Sequence, residues 1–550
     1  MLDLKREIIC ECGHRNPNGT ILCEACGKPL DDDQSKTLLN MRYEGGARRS
    51  QTYKRTPIDK IWNYFSSVKV GVTLIILVLI AAAIGTILPQ DNAIPSDDPK
   101  TYYPEHWGAF GSLYVKLGLD HLYTSWWWVI LVGLLGLSII VASIDRFIPL
   151  YRGLKNQRVT RHERFLNRQR LFGRTAGDHP DETIAKAKSA LKEKRYRIRE
   201  ENGNLLAEKG RFSRWGPYVN HIGLIIVLIS GVMRFIPGTY VNDGIWIPEG
   251  EKRPIPGTNG QYYLSNHQFI LQTYDKNNKQ FQKAIERVGG NVAKNFQTNA
   301  TLYKAKGAHV IGEQPKLQKI KTVKIRVNHP MTFGAYKVYQ SSYRMELYKM
   351  RFKLIDKKTN HSFGTFNINL SNPKKSYDLG NGYKVQLEDY LPDLTFDKNG
   401  TPTTKTNNPN NPAFVFNMIT PDKPKGEKSF VAIQTNLEPL GKNKYKVAFD
   451  GLQTRYLSGL TVHKNLSIWV AFLGAIIFLI GVGQGMYWNH RRIWIQRKNG
   501  ELWVAAHTNK NWLGIKRDIQ HLVGQTGLNE PVDQLEQKTL EQDKERGLVT

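Results

Sequence analysis

Cysteine is nearly missing from this chain of 550 residues, and the four present, Cys10, Cys12, Cys23 and Cys26, stand together near the amino terminus. Everything after Cys26 is therefore without disulfide staples and cannot carry out thiol–disulfide exchange. No Cys-x-x-Cys-His occurs, so the chain is not itself a c-type cytochrome. A serine nucleophile elbow, a phosphate loop and well-spaced paired carboxylates are also absent, and nothing marks a self-contained catalytic centre. Acidic residues are scarce: 48 stand against 78 Lys and Arg, for a net charge of +30.

Long apolar runs are what the chain does have. A mean hydropathy of −0.44 hides four of them, Val68–Leu88, Ser125–Ile148, Trp215–Ile236 and Leu466–Trp488. Each reaches about 20 residues, enough for a helix to cross a bilayer. The first follows about 65 polar residues and is too long for a signal-peptide core, so the amino terminus is expected to be retained.

The positive charge sorts with these runs. Pro89–Thr124 carries only Lys100 and Lys116, whereas the stretch 149–214 holds Arg152, Lys155, Arg158, Arg161, Arg164, Arg168, Arg170 and Arg174. Arg491, Arg492, Arg497 and Lys498 follow the last run. Cationic loops hold membrane helices in orientation. The termini and 149–214 are thus expected in the cytoplasm, with Pro89–Thr124 and the long 237–465 segment outside. That distribution accounts for the charge without nucleic acid.

Cys10-x-Cys12 and Cys23-x-x-Cys26, each pair followed by glycine, resemble the two knuckles of a zinc ribbon. Four thiolates suit tetrahedral zinc, and a cytoplasmic segment is too reducing for two disulfides. His14 is not needed as a ligand. A polar linker containing Asp31–Asp33 runs to residue 66, ending in an amphipathic entry, Ile58–Phe65. In 149–214, Ile184, Ala187 and Leu191 recur at helical spacing, and two strands flank Asn202-Gly203. The 237–465 segment alternates as strands do at Val323/Ile325/Val327, Phe366/Ile368/Leu370, Tyr383/Val385/Leu387 and Tyr445/Val447/Phe449. Asn381-Gly382 and Asn399-Gly400 mark turns. The expected fold is a four-helix integral membrane protein with a large mainly-β outer domain at 237–465. It carries a zinc-ribbon-like module at 1–30, a small α/β unit within 149–214 and a cytoplasmic tail at 489–550.

One residue is out of place. His221 is the only side chain between Arg214 and Arg234 that titrates near neutral pH, inside the third run. An ionisable group in a membrane is costly and marks a functional candidate. A neutral imidazole can ligate haem iron, or it can simply hydrogen-bond a neighbouring helix. Gly216, Gly223 and Ser230 recur every seven residues as a small-residue stripe. At 100° per residue His221 points nearly opposite that stripe, so the stripe is expected to pack within the chain and His221 to face a partner. His106, His121, His463 and His490 sit at interface positions that suit histidine without any ligand role, and His329 falls in a turn-like Asn-His-Pro.

Several segments together resemble the ResB family of cytochrome c biogenesis proteins (System II), over about residues 60–500. They are Ile84-Gly-Thr-Ile-Leu-Pro-Gln90, Leu117–Trp128, Ile144-Asp-Arg146, Ala207–Gly216, Asn220-His-Ile-Gly-Leu224, Val338-Tyr-Gln-Ser-Ser-Tyr343 and Trp488–Trp494. The resemblance implies a haem b site with His221 as one axial ligand and a second ligand from a ResC/CcsA-type multi-span partner that bears a tryptophan-rich haem segment. It implies delivery of haem across the membrane and its attachment to apocytochrome c, with thiol reduction left to a separate protein. Trp126-Trp127-Trp128 opens a span and reads as an interfacial belt. A membrane sensor or scaffold with an outer β domain is the alternative.

Overall fold

The computed structural model describes residues 7–30, 37–91, 99–176, 179–273, 293–306, 315–398, 400–433, 435–437 and 442–545. Asp31–Asp33 of the linker and Asn399 of the second predicted turn lie outside the described residues. The chain divides into two compact units, residues 1–233 with 467–550, and residues 234–466.

The first unit contains four helices long and apolar enough to cross a membrane: Val68–Ile87, Trp126–Lys155, Arg211–Met233 and Ser467–Tyr487. These are spans one to four below. Span two runs about two turns beyond the apolar run, because Arg152 and Lys155 in its last turn favour the negative end of the helix dipole. Leu79, Leu137, Ile229 and Leu479 stay exposed, an apolar surface that a bilayer would cover. Ahead of span one, helix Pro57–Phe65 starts at a capping box. Thr56 Oγ1 accepts from the Asp59 amide at 3.1 Å, and Asp59 accepts from the Thr56 amide at 3.0 Å.

The rest of this unit is built on a six-stranded antiparallel sheet. Its order is Val532–Asp533, Leu171–Ala176, Glu501–Thr508, Arg491–Lys498, Asn204–Lys209, Arg197–Glu201. Strands from the 149–214 stretch and strands from the tail thus form one sheet. Helices Pro180–Glu193 and Trp512–Thr526 cover one face through Ile184, Ala187, Leu191, Ile515 and Ile519, which pack on Ile493, Ile495, Leu502 and Val504. The alternate residues Trp494, Trp503 and Ala505 point to the other face, where Leu22, Leu39, Met41, Phe165 and Leu166 pack. With both faces covered, the two central strands are apolar through their middles, at Ile493–Ile495 and Leu502–Ala506. Asn202 (φ 50°) and Gly203 (φ 70°) make the two-residue turn between the last two strands.

The second unit is antiparallel β. Two strands of 21 residues, Tyr336–Asp356 and Tyr445–Asn465, pair along their whole length. Register shifts near Gln340, Leu347 and Arg351 let the pair bend. One half of it closes a core of Ile247, Leu264, Ile325, Val338 and Leu460 with strands Tyr262–Thr273 and Ala293–Lys306. The other half closes a core of Phe352, Leu354, Phe366, Phe416 and Val447. Val327 and Phe449 continue the expected alternation but are exposed, since Val327 lies past its strand end and Phe449, although paired with Phe352 on the core face, sits at the edge of that core beside a register shift.

Candidate functional site

His221 follows the first turn of helix Gly216–Met233, and the small-residue stripe decides which way it faces. A Cβ on Gly223 would lie 2.4 Å from the Phe478 amide nitrogen, and one on Gly481 would lie 2.3 Å from that of Asn220. Spans three and four therefore touch backbone to backbone, with Gly216 and Gly223 of one against Gly485, Gly481 and Gly474 of the other. The opposite face of span three turns to span two. There His221 Nδ1 lies 2.8 Å from Ser143 Oγ. The ring is half-buried and faces span two of its own chain.

The serine selects the tautomer. Ser143 Oγ also lies 2.6 Å from the Ile139 carbonyl, which can only accept. The single hydroxyl proton goes to Ile139, so Nδ1–H of His221 donates to Ser143. In the neutral imidazole the lone pair then sits on Nε2. Ligating histidines are commonly held this way, with the second ring nitrogen donating to a fixed acceptor.

His221 lines a cleft with Ser143, Arg146 and Leu150 of span two, Pro217 and Tyr218 of span three, and Arg42, Arg214, Asn509 and Lys510 at its end. Arg146 donates from Nη1 to the Ala142 carbonyl and from Nη2 to the Ser66 carbonyl, both at 2.9 Å. Its neighbour Asp145 turns away and fixes the entry helix, accepting from the Ser50 amide and hydroxyl at 2.8 Å and from Trp62 Nε1 at 3.2 Å. Beyond the cleft lies a buried charge knot. Glu44 pairs with Arg492 and, at 3.3 Å, with Arg214, and it accepts from Gln157 at 2.9 Å. Burial resists ionisation of Glu44, but Arg492 and then Arg214 overcome this and hold its carboxyl down to about 2.

The cysteine cluster is a separate site. Cys10 and Cys26 sulfurs are 3.5 Å apart, and those of Cys12 and Cys23 are 3.6 Å apart. All four are free thiols whose sulfurs lie within 4.8 Å of one another. A zinc–sulfur tetrahedron with bonds of ~2.3 Å has edges of about 3.8 Å, so the set fits zinc. Burial opposes ionisation of Cys23, yet donors from the Cys26 amide, Asn16 Nδ2 and the Ala25 amide outweigh it and bring the thiol to about 6. Lys28, paired with Glu11, lies beside the cluster, and Arg158 donates to the Glu24 carbonyl at 3.0 Å.

The remaining histidines have ordinary partners. His106 Nδ1 meets the Tyr102 carbonyl at 2.7 Å, His121 meets Asp120 at 2.9 Å, and His490 donates to Glu208 at 2.7 Å. His463 lies in a long strand, and His329 in the bridge that closes on Arg326. Trp127 donates to the Leu117 carbonyl at 2.9 Å, and Trp126 is exposed.

The ResB-like family model matches residues 68–520. The chain belongs to the ResB-like family. It is 56% identical over 536 residues to the cytochrome c biogenesis protein ResB of Bacillus subtilis (strain 168), covering 96% of this chain and 99% of that one. It is 26% identical over 474 residues to the cytochrome c biogenesis protein CcsB of Prochlorococcus marinus (strain AS9601), covering 82% of this chain and 95% of the relative. No solved structure matches it. In this ResB-like chain the site is larger than sequence reasoning showed. His221 was legible as the lone group of its span that titrates near neutral pH. Ser143 was not, since serine is ordinary in membrane helices. Arg146 stood in the Ile144-Asp-Arg146 motif without a role, and Glu44 lay in a stretch read as linker.

Proposed function

We propose that this chain acts in cytochrome c biogenesis as a membrane subunit that passes haem across the bilayer and supports its attachment to apocytochrome c. It works with a ResC/CcsA-type multi-span partner, and another protein reduces the apocytochrome thiols. His221 would hold the haem iron through Nε2, and the partner would supply the second ligand. The observation that carries this reading is the Ser143 hydroxyl on Nδ1, which leaves Nε2 free beside a cleft. Haem supplies the iron; this chain positions it and holds the imidazole tautomer.

The two termini and the 149–214 stretch belong in the cytoplasm. The shared sheet supports this, because strands from the loop between spans two and three and from the tail after span four must lie on one side. Two crossings separate those stretches, so the intervening 237–465 segment lies outside. Zinc held by Cys10, Cys12, Cys23 and Cys26 would close the amino-terminal module on itself, and Leu22 of that module packs in the core of this body with Trp494 and Trp503.

The test is His221→Ala in the full chain co-purified with its multi-span partner. Bound haem and the reduced absorption band are expected to fall, c-type cytochromes to disappear, and added imidazole to restore them. Unchanged haem and unchanged cytochrome assembly would remove His221 as the ligand.

A further inference from the structure

We propose that the cleft beside His221 is a carboxylate clamp, built by Arg146, Arg42, Arg214 and Lys510, that takes the two propionates of the haem. The proposal rests on the reading of His221 as an axial ligand and adds what holds the other end of the molecule. Among the described residues four cations line the cleft and no carboxylate does. Such a one-signed lining inside or beside a membrane is expensive unless an anion enters it.

Each cation is under-neutralised in its own way. Arg146 projects from a membrane helix and, among the described residues, meets only carbonyls. Lys510 likewise donates to a carbonyl, that of Gly485, at 3.1 Å. Arg42 stands over the Tyr43 ring, 5.7 Å from its centroid, with no ion-pair partner among the described residues. Arg214 is 9% exposed, and its Nε is buried without a hydrogen-bond partner. Its one carboxylate, Glu44, is shared with Arg492. Two buried guanidiniums on one carboxylate leave net positive charge at the cleft floor.

The layout matches a ligand with a metal at one end and two carboxylates at the other. On span three, Arg214 lies seven residues before His221, about 10 Å along the axis. On span two, Ser143, Arg146 and Leu150 follow one another on one stripe toward the same end. The imidazole is thus at the apolar end and the cations at the cytoplasmic end. Between them Leu150, Pro217, Tyr43 and Tyr218 offer flat or apolar walls. Arginine suits carboxylate because its planar fork can donate two parallel hydrogen bonds.

Haemin and haemin dimethyl ester separate this proposal from the reading beneath it. The full chain in zwitterionic nanodiscs is titrated with each. The wild type is expected to bind haemin at least about tenfold more tightly than the ester, the effect of losing one charge-assisted hydrogen bond. Arg146→Gln, and separately Arg42→Gln with Lys510→Gln, are expected to weaken haemin about tenfold and leave the ester unchanged. The second pair is exposed at the cleft mouth, so it folds even if Arg146→Gln does not. Equal affinity of the wild type for both ligands, or equal weakening of both by the variants, overturns the clamp. His221→Ala is expected to change the absorption band of both ligands while keeping the preference for haemin. An unchanged band with a kept preference removes the axial-ligand reading and leaves the clamp.

Discussion

At the scale of single residues, function in this chain rests on side chains that constrain one another. His221 alone is an imidazole with two possible tautomers. Ser143, itself committed to the Ile139 carbonyl, reduces these to one. Ser143→Ala keeps the helix and removes only the acceptor for Nδ1–H. Haem affinity of the full chain is expected to drop about ten- to a hundredfold, the usual effect of losing the group that orients a ligating histidine. Titration with haemin checks it, and wild-type affinity in the alanine variant would show that the serine does not set the tautomer. The cysteine cluster allows a sharper test. Replacing Cys23 by serine removes a sulfur held by three donors, and metal analysis is expected to show loss of one equivalent of zinc. His14→Ala is expected to retain it. The reverse pattern would reassign the ligand set. These residues differ in how readable they were from the chain alone. Clustered cysteines and a lone histidine announce themselves by rarity. Ser143 gains its meaning only from packing against a helix 78 residues away.

At the scale of elements, spacing carried more than composition did. The seven-residue stripe of Gly216, Gly223 and Ser230 shows that one face of span three needs close approach. It does not name the helix approached. That helix is span four, whose Ser467, Gly474 and Gly481 repeat at the same interval and are buried with it. Both stripes share a 3.5-residue period, so they stay in register along antiparallel helices. Adding a side chain there forces the pair apart. Gly223→Val is expected to cost at least the ~1–3 kcal/mol of an overpacked core, read as a lower melting temperature in detergent. Gly231→Val is the control, because nothing lies within 4 Å of a Cβ at that position. Equal melting of the two variants would mean the stripe is not a packing seam. The strand alternations of 237–465 were legible for the same reason, since period two survives burial of one face. Their joining into two 21-residue strands was not, because bulges interrupt the period where the ribbon bends.

At the scale of the whole molecule, the features hardest to read are those that join distant stretches. Sequence reasoning kept the 149–214 unit and the tail apart, since strand pairing between residues some three hundred positions apart leaves no local pattern. The sheet unites them, and Glu44, Gln157, Arg214 and Arg492 tie the amino-terminal stretch, both ends of the inter-span loop and the tail into one buried knot. Glu44→Gln leaves two guanidiniums buried without a counter-charge and is expected to destabilise this body by about 3–5 kcal/mol. The same knot gives the body a definite response to acid. Burial, helped by the Arg492 charge, holds His490 below the usual histidine range despite its hydrogen bond to Glu208. Burial and Arg492 together hold His507 well below it. A histidine whose folded value is depressed stabilises the fold above its unfolded value of about 6.5, and that stability is lost as pH falls below it. Glu44, held down to about 2, contributes above the ordinary carboxylate range and is ionised throughout this window. The melting temperature is therefore expected to fall between pH 7.5 and pH 5.5 through the histidines and not through Glu44. His490→Gln with His507→Gln should make that slope shallower, while Glu44→Gln, which removes a charge that favours both imidazoliums, lowers the melting temperature at both pH values and does not flatten the slope. A slope unchanged in the double histidine variant would move the acid response out of the knot.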